Sequence, residues 1–416
     1  MTKISRRELD RLRALAREQA EIAGSDSMKQ LYADWARHGC FEKNARPMLT
    51  IELWTFADEI IPGMLQCETS RARELEALLL SNIIPYQLFG DDTPVRSYIP
   101  VPVKKQFVPF GLETRKECSG DSGYVGAGHR FLTYLEDLEE DWHLLSKSKY
   151  SIDMQGTRKE IDGINELIGD ILPARRSGET LCANVAEDII HTISMENLYV
   201  AMLDTPALVH RMVDMLVQDY DEYFTFLESY GLLPTASDEA LPQGSYCFNG
   251  TLPAEGEKLK VHQVWGYMDA EEMNDVSPQM YRDFIVEHYK PLTARFGALS
   301  YGCCEAIHRF WKDSVETLPN LRKVSVSAWC DVRYMGEQLQ NRDIVFLSKP
   351  TANLLGVSSR LDEQAVSSYF RETAEAAHGC RLEVTQRDVY LLHGNVDKVR
   401  RYVELARAAL ERYWKP

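Results

Sequence analysis

The rhythm of apolar positions in this chain changes near residue 180. Residues 5–38 carry apolar positions at helical spacing among many Arg, Glu and Asp, which predicts one or two amphipathic helices. Residues 41–110 mix short apolar runs with Pro and Gly, as in RPMLTIELW, IPYQLFGDDTP and SYIPVPV, and predict irregular or β structure with loops. Residues 134–175 carry charged helical patterns.

From about residue 180 strands and helices alternate. Strands are predicted at 181–185, 261–265, 298–301, 323–327, 344–347 and 381–385. Helices are predicted at 188–203, from Pro206 to Tyr230 with Gly231 as C-cap, at 278–296 after the N-cap Ser277, and at 308–318, 332–340, 362–378 and 395–413. In the helix that Pro206 opens, Val209, Met212, Val213 and Leu216 repeat at helical spacing. Such alternation implies a parallel sheet with crossover helices, and over this length an α/β fold of the closed (β/α)8 TIM barrel type. A doubly wound open sheet is the alternative, and no G-x-G-x-x-G or G-x-x-x-x-G-K-[ST] motif supports a nucleotide-binding version of it.

Composition narrows the function. The chain has 416 residues, 44% hydrophobic and 26% charged, as in an ordinary globular protein. Its net charge of -16 opposes binding to a polyanion, so no nucleic acid is expected as a partner. No stretch approaches the roughly 18 consecutive apolar residues of a membrane-spanning helix, so no membrane is expected either. The N-terminus MTKISRRELDRLRALAREQAEIAG lacks the apolar core of a signal peptide, and the expected location is the cytoplasm. Nine cysteines, scattered from Cys40 to Cys380, do not form a disulfide framework.

One segment carries the candidate chemistry. In Tyr301-Gly302-Cys303-Cys304-Glu305, followed by His308, two thiols, a carboxylate and an imidazole fall within six positions at a predicted strand end. That is the pattern of a soft-metal site or a reactive thiol. Consecutive residues on an extended segment point to opposite faces, so Cys303 and Cys304 are not expected to ligate one ion together. Glu305 is a ligand, a general acid or base, or a favoured carboxylate at the start of the next helix. His393 and His262, near other strand ends, are candidates for a further ligand. Asp388 and Tyr390 follow the last strand, and Asp388 ligates, orients or makes loop hydrogen bonds. Trp265, Tyr267, Trp311 and Trp329 form an aromatic wall for a flat substrate, or are ordinary packing. Asp331 is catalytic or caps the helix that starts at Val332. In a barrel, residues 265–272, 301–305, 327–331, 349–353 and 387–395 converge on one mouth.

Three longer runs resemble the uroporphyrinogen decarboxylase superfamily. They are VWGYMDAEEMNDVSPQMYRDFIVEHYKPLTARFG, LPNLRKVSVSAWCDVRYMGEQLQNRDIVFLSKPTANLL and DTPALVHRMVDMLVQDYDEYF. The resemblance implies a TIM barrel over residues 46–416 with an N-terminal helical extension over 1–45. The decarboxylase branch is disfavoured, because the family's L-R-Q-A-G-R type segment is absent and the region around Arg46-Pro47 does not replace it. The other branch comprises cobalamin-dependent methyltransferases, which bind zinc through H-x-C and a further Cys near the C-terminus. Tyr301-Gly302-Cys303 falls at the position of H-x-C with Tyr in place of His, and Leu391-Leu392-His393-Gly394 falls near the later Cys. The Gly-Cys-Cys-Glu variant with S-V-S-x-W downstream is similar to the methyltransferase components of anaerobic O-demethylase systems.

The resemblance implies zinc as cofactor, with its ligands drawn from Cys303, Cys304, Glu305 and His393. From the residues at the strand ends, catalytic roles are expected for Glu305, Asp388 and Tyr301, and substrate contacts from Trp265, Tyr267, Trp311, Trp329 and Tyr390. The expected reaction moves a methyl group from a methoxylated, aromatic substrate to the Co(I) cobalamin of a partner corrinoid protein. No D-x-H-x-x-G cobalamin-binding segment occurs in this chain, so the corrinoid belongs to the partner. The alternatives are a metal-free enzyme of the decarboxylase type and a non-catalytic barrel that binds a corrinoid or tetrapyrrole. The N-terminal helices either cover the barrel or mediate a homodimer.

Overall fold

The computed structural model describes residues 4–118, 129–178, 180–256 and 258–416. Its centre is a parallel sheet of seven strands: β1 (Met48–Ile51), β2 (Leu181–Ala183), β3 (Trp265–Met268), β4 (Ala298–Tyr301), β5 (Leu321–Val326), β6 (Val345–Ser348) and β7 (Arg381–Gln386). They lie in the order β1-β7-β6-β5-β4-β3-β2. The first strand thus pairs with the last, Met48 opposite Glu383, and the two edges, β1 and β2, are consecutive strands of the sheet in chain order. That circular order is consistent with a TIM-barrel-like fold.

The ring of eight expected from sequence is not closed. Among the described residues no ladder joins β1 to β2. The chain between them forms separate two-stranded pairs: Ile99–Val101 with Ala174–Arg176, Lys104–Val108 with Lys149–Asp153, and Arg115–Cys118 with His129–Leu132. Paired in this way, those strands do not enter the main sheet.

Alternation along the strands separates two environments. Leu299 and Tyr301, Val324 and Val326, Phe346, and Leu382 and Val384 belong to the large apolar core shared with the helices. The opposite face turns inward and is more polar. Lys323, Ser325, Glu383 and Thr385 lie on it, all buried. A short hairpin, Ala240–Leu241 with Ser245–Tyr246, is inserted against this face. Ser245 Oγ donates to Glu383 Oε2 at 2.6 Å, and Gln243 Nε2 donates to the Tyr267 hydroxyl at 2.8 Å. Gly244 turns the hairpin at φ +75°, where a Cβ would overlap the Thr385 methyl. The N-terminal helices Arg6–Gly24 and Asp26–Gly39 pack on the same body. His38, at the end of the second helix, places Nε2 3.3 Å from Glu383 Oε1.

Several elements differ from the sequence reading. The strand expected at 261–265 lies at Trp265–Met268, because Val261–Gln263 forms a 3₁₀ turn. The helix expected at 308–318 is two 3₁₀ turns, Ile307–Phe310 and Val315–Thr317. The helix expected at 188–203 is broken at Ser194 (φ +74°) into Val185–Ile193 and Met195–Asp204. Residues 41–110 contain a full helix, Ser70–Ile84, where loops and β structure were expected. Among the described residues no helix is long and apolar enough to cross a membrane.

Candidate metal centre

A parallel sheet puts all strand C-termini at one end, and there the residues after six strands meet. Strand β4 ends at Tyr301, and Gly302 takes φ +94°, a conformation glycine adopts without strain. The chain therefore turns instead of continuing extended. Cys303 and Cys304 consequently point the same way, with their Sγ atoms 3.6 Å apart. The expectation that the two thiols face opposite sides fails for this reason.

The carboxylate that joins them is Glu271, three residues beyond β3. Its oxygen and the two Sγ atoms all lie within 4.8 Å of one another. Glu271 Oε2 also accepts from Cys304 N at 3.2 Å, which fixes the loop after β3 to the loop after β4. Two thiolates on a tetrahedral zinc at Zn–S ~2.3 Å are about 3.8 Å apart, close to the spacing found here. The residues present therefore fit zinc as a three-ligand site with a fourth position open.

Glu305 has a different task. It is buried, and its carboxylate accepts from Ala270 N at 2.9 Å and from Cys303 N at 2.5 Å. Its own carbonyl accepts from Ser327 Oγ at 2.8 Å. Glu305 thus ties β3, β4 and β5 together behind the thiols. Burial pushes its carboxyl above the ordinary value.

Two cations flank the thiols. Lys349, at the end of β6 and 4% exposed, donates to Cys303 O at 2.9 Å and to Gln243 Oε1 at 2.6 Å. It has no carboxylate salt-bridge partner among the described residues, and burial pushes its amine below the ordinary value. Arg387, after β7, has Nη1 3.9 Å from Cys303 Sγ and Nε 3.4 Å from Glu52 Oε2, after β1. Burial works against its charge, but Glu52 and Asp388 outweigh it and hold the guanidinium protonated. The thiol pair titrates as a unit. The hydrogen bond from Cys303 lowers Cys304, and the same bond, with burial, raises Cys303. The nearby Lys349 ammonium favours both thiolates.

The remaining sequence candidates are distributed as follows. Tyr267 lies in the site: its hydroxyl donates to Asp269 Oδ2 at 2.5 Å. Burial, with Glu305 nearby, pushes Asp269 up to about 8. Tyr301 is fully buried against the helix layer, with its hydroxyl 2.6 Å from that of Tyr281, and does not face the thiols. Asp388 sits 3.6 Å from Arg387 Nε at φ +59°. His393 is exposed and bonds Gly356 O at 2.9 Å, outside the thiol group. His262 precedes β3, at the opposite end of the sheet. Asp331 accepts from Tyr334 N at 3.0 Å and caps the helix Val332–Leu339.

The aromatic wall is not assembled. Trp265 lies inside the sheet near its N-terminal end, donating Nε1 to Cys247 O at 2.8 Å. Trp311 is buried beside Arg342. Trp329 is 73% exposed. A cavity of about 530 Å³ lies between the strand β1 end and the inserted hairpin, and neither the thiols nor Glu271 line it. Its walls include Glu52, Leu53, Trp54, Pro242 and Gln243. Of these, Glu52 contacts Arg387 and Gln243 contacts Lys349, so the two cations stand between the cavity wall and Cys303. Glu271, Lys349 and Gln243 were not singled out from sequence. Glu271 and Lys349 nevertheless lie in the segments 265–272 and 349–353, which were expected at the mouth.

No protein-family model and no curated protein sequence matches this chain. Among solved structures, a methyltransferase from Methanosarcina mazei is similar at 11% identity and a TM-score of 0.48, over 92% of this chain and 98% of its own. Fold and site together define a mixed α/β protein whose central parallel sheet gathers two thiols and a carboxylate at its C-terminal end.

Proposed function

We propose that this chain is a zinc-dependent methyltransferase that moves a methyl group from a methoxylated substrate to the corrinoid of a partner protein. The observation that carries the reading is the three-ligand group of Cys303, Cys304 and Glu271, with its 3.6 Å thiol spacing at the sheet's C-terminal end. When bound there, zinc would supply Lewis-acid polarisation of an ether oxygen.

The chain's own residues do the rest. Cys303, Cys304 and Glu271 bind the ion. Lys349 and Arg387 offset the negative charge of the two thiolates and of an oxygen that departs as an anion. Asp269, buried behind the loop that carries Glu271, accepts from the Tyr267 hydroxyl at 2.5 Å and holds that ring in place. The cavity of about 530 Å³ has the size of a small-molecule site, and its Leu53 and Trp54 wall suits an apolar ring.

The partner reading has its own support. Trp54, Trp329, Val357, Tyr390 and Leu391 are exposed, and all lie in the segments that follow β1, β5, β6 and β7. Apolar side chains exposed at the same end of the sheet as the thiols suit a macromolecular partner that docks there. Trp329→Ala is expected to leave zinc content unchanged and to weaken the complex with the corrinoid protein by about tenfold, measured by titration calorimetry.

The decisive test is metal content with methyl transfer. The chain purified without chelator is expected to hold one zinc by plasma mass spectrometry. Cys303→Ser, Cys304→Ser and the double variant are expected to lose zinc and methyl transfer to cob(I)alamin. A folded protein with no metal, or full activity in all three variants, overturns the reading and brings back a metal-free decarboxylase-like enzyme.

A further inference from the structure

We infer that Cys303 and Cys304 are a reversible redox site, closing to a vicinal disulfide that denies the centre its metal. The inference shares its thiols with the metal reading, and its consequence for activity rests on that reading. Disulfide formation itself does not.

The geometry comes first. The two Sγ atoms are already hydrogen-bonded at 3.6 Å, and both cysteines are free. The closure to a bonded S–S distance of about 2.0 Å is a movement of roughly 1.5 Å. The turn at Gly302 has already brought the side chains to one side, so the movement needs rotation of the side chains and no rearrangement of the sheet. No other thiol–thiol hydrogen bond occurs among the described residues, so the pair has no competing partner.

The same geometry makes the bond labile. Adjacent Cα atoms are about 3.8 Å apart across a trans peptide, whereas disulfides span roughly 4.4–6.8 Å. A vicinal bridge is therefore strained, and strained bridges are the easily reduced, regulatory ones. Its position suits regulation as well. Closure removes two of the three protein ligands at once and leaves Glu271 alone.

Access decides the order of steps. Cys304 is partly exposed, whereas Cys303 is buried. With a small disulfide such as oxidised glutathione as oxidant, the Cys304 thiolate attacks one of its sulfurs. The glutathione S–S bond breaks, and one glutathione thiolate leaves. The Cys303 sulfur then attacks the mixed disulfide at Cys304, the second glutathione leaves, and the intramolecular S–S bond forms. Two electrons pass from the cysteine pair to the glutathione pair. The two cysteine protons end on the two glutathione molecules.

The test uses the full chain after chelator treatment, incubated with oxidised glutathione and read by peptide mass spectrometry. The peptide holding Cys303 and Cys304 is expected to lose two hydrogens, to carry no glutathione, and to recover both thiols with dithiothreitol. In Cys303→Ser the reaction is expected to stop at a glutathione adduct on Cys304. Exposed Cys40 serves as an internal control for reagent activity. A stable glutathione adduct on Cys304 of the unaltered chain, or two free thiols after Cys40 has reacted, overturns the inference. Preloading with zinc is expected to protect both thiols. A disulfide that forms equally fast with and without zinc upholds the redox site and removes the metal reading alone.

Discussion

Zinc affinity is expected to fall by more than about 100-fold in Glu271→Ala and to change by less than about tenfold in Glu305→Gln. The two carboxylates lie in loops one strand apart, and sequence alone favours Glu305. The structure assigns them opposite duties. Glu271 presents an oxygen within 4.8 Å of both Sγ atoms, so in the proposed zinc centre its loss removes a ligand. Losses in the second shell of metal sites already cost roughly 10–100-fold, and a direct ligand costs more. Glu305 spends its two oxygens on Ala270 N and Cys303 N. Glutamine retains one acceptor and leaves the thiols in place. Its cost appears in stability, about 1–3 kcal/mol for a buried donor left unsatisfied. Competition with a chromophoric chelator measures the affinity, and urea titration the stability. Equal loss of zinc affinity in both variants defeats the division of roles.

That division was out of reach of sequence reading for a physical reason. The segment 301–305 stands out because thiols and a carboxylate are dense there, and the structure does put both thiols in the group. Which way each side chain points depends on one dihedral, the positive φ of Gly302. Glycine permits that value and does not require it. The strand that leads to Glu271 shows a second limit. The run KVHQVWGYMD is apolar enough for a strand at either of two registers, and a 3₁₀ turn at Val261–Gln263 selects the later one. Alternation of strands and helices after residue 180 was legible because each crossover repeats the same pattern. Ring closure was not legible, since it depends on pairing between β1 and β2, which are separated by some 130 residues that form helices and strand pairs of their own where described. The helix Ser70–Ile84 was hidden by its flanks, although SRARELEALLLSNII contains neither Pro nor Gly.

The largest stability loss is expected inside the sheet, at Glu383. Lys323 Nζ donates to both carboxylate oxygens at 2.8 and 2.9 Å, Ser245 Oγ bonds one of them, and His38 Nε2 lies 3.3 Å away. The Lys323 ammonium also sits 5.5 Å from the Trp265 ring centre. All of these groups are buried, so the charges depend on one another. Removing one partner of a buried pair strands the other, and Glu383→Ala is expected to cost ~3–5 kcal/mol. Replacing both, as in Lys323→Met with Glu383→Leu, is expected to recover most of that loss, because no buried charge then remains. The pH dependence follows from the same contacts. Burial alone would raise the Glu383 carboxyl, but Lys323 and His38 outweigh it and bring it from 4.5 down to about 2. A carboxyl lowered on folding adds stability above its unfolded value, and that stability is lost as pH falls from 4.5 through about 2. His38 acts in the same direction. Burial lowers it below 6.5, so the unfolded chain takes up its proton first, and stability falls as pH drops below 6.5. Urea titrations of the unaltered chain are expected to show stability declining from pH 6.5 downward and more steeply below pH 4.5. In the double variant the step below pH 4.5 should be smaller, and an unchanged acid limb in that variant would place the titrating groups elsewhere.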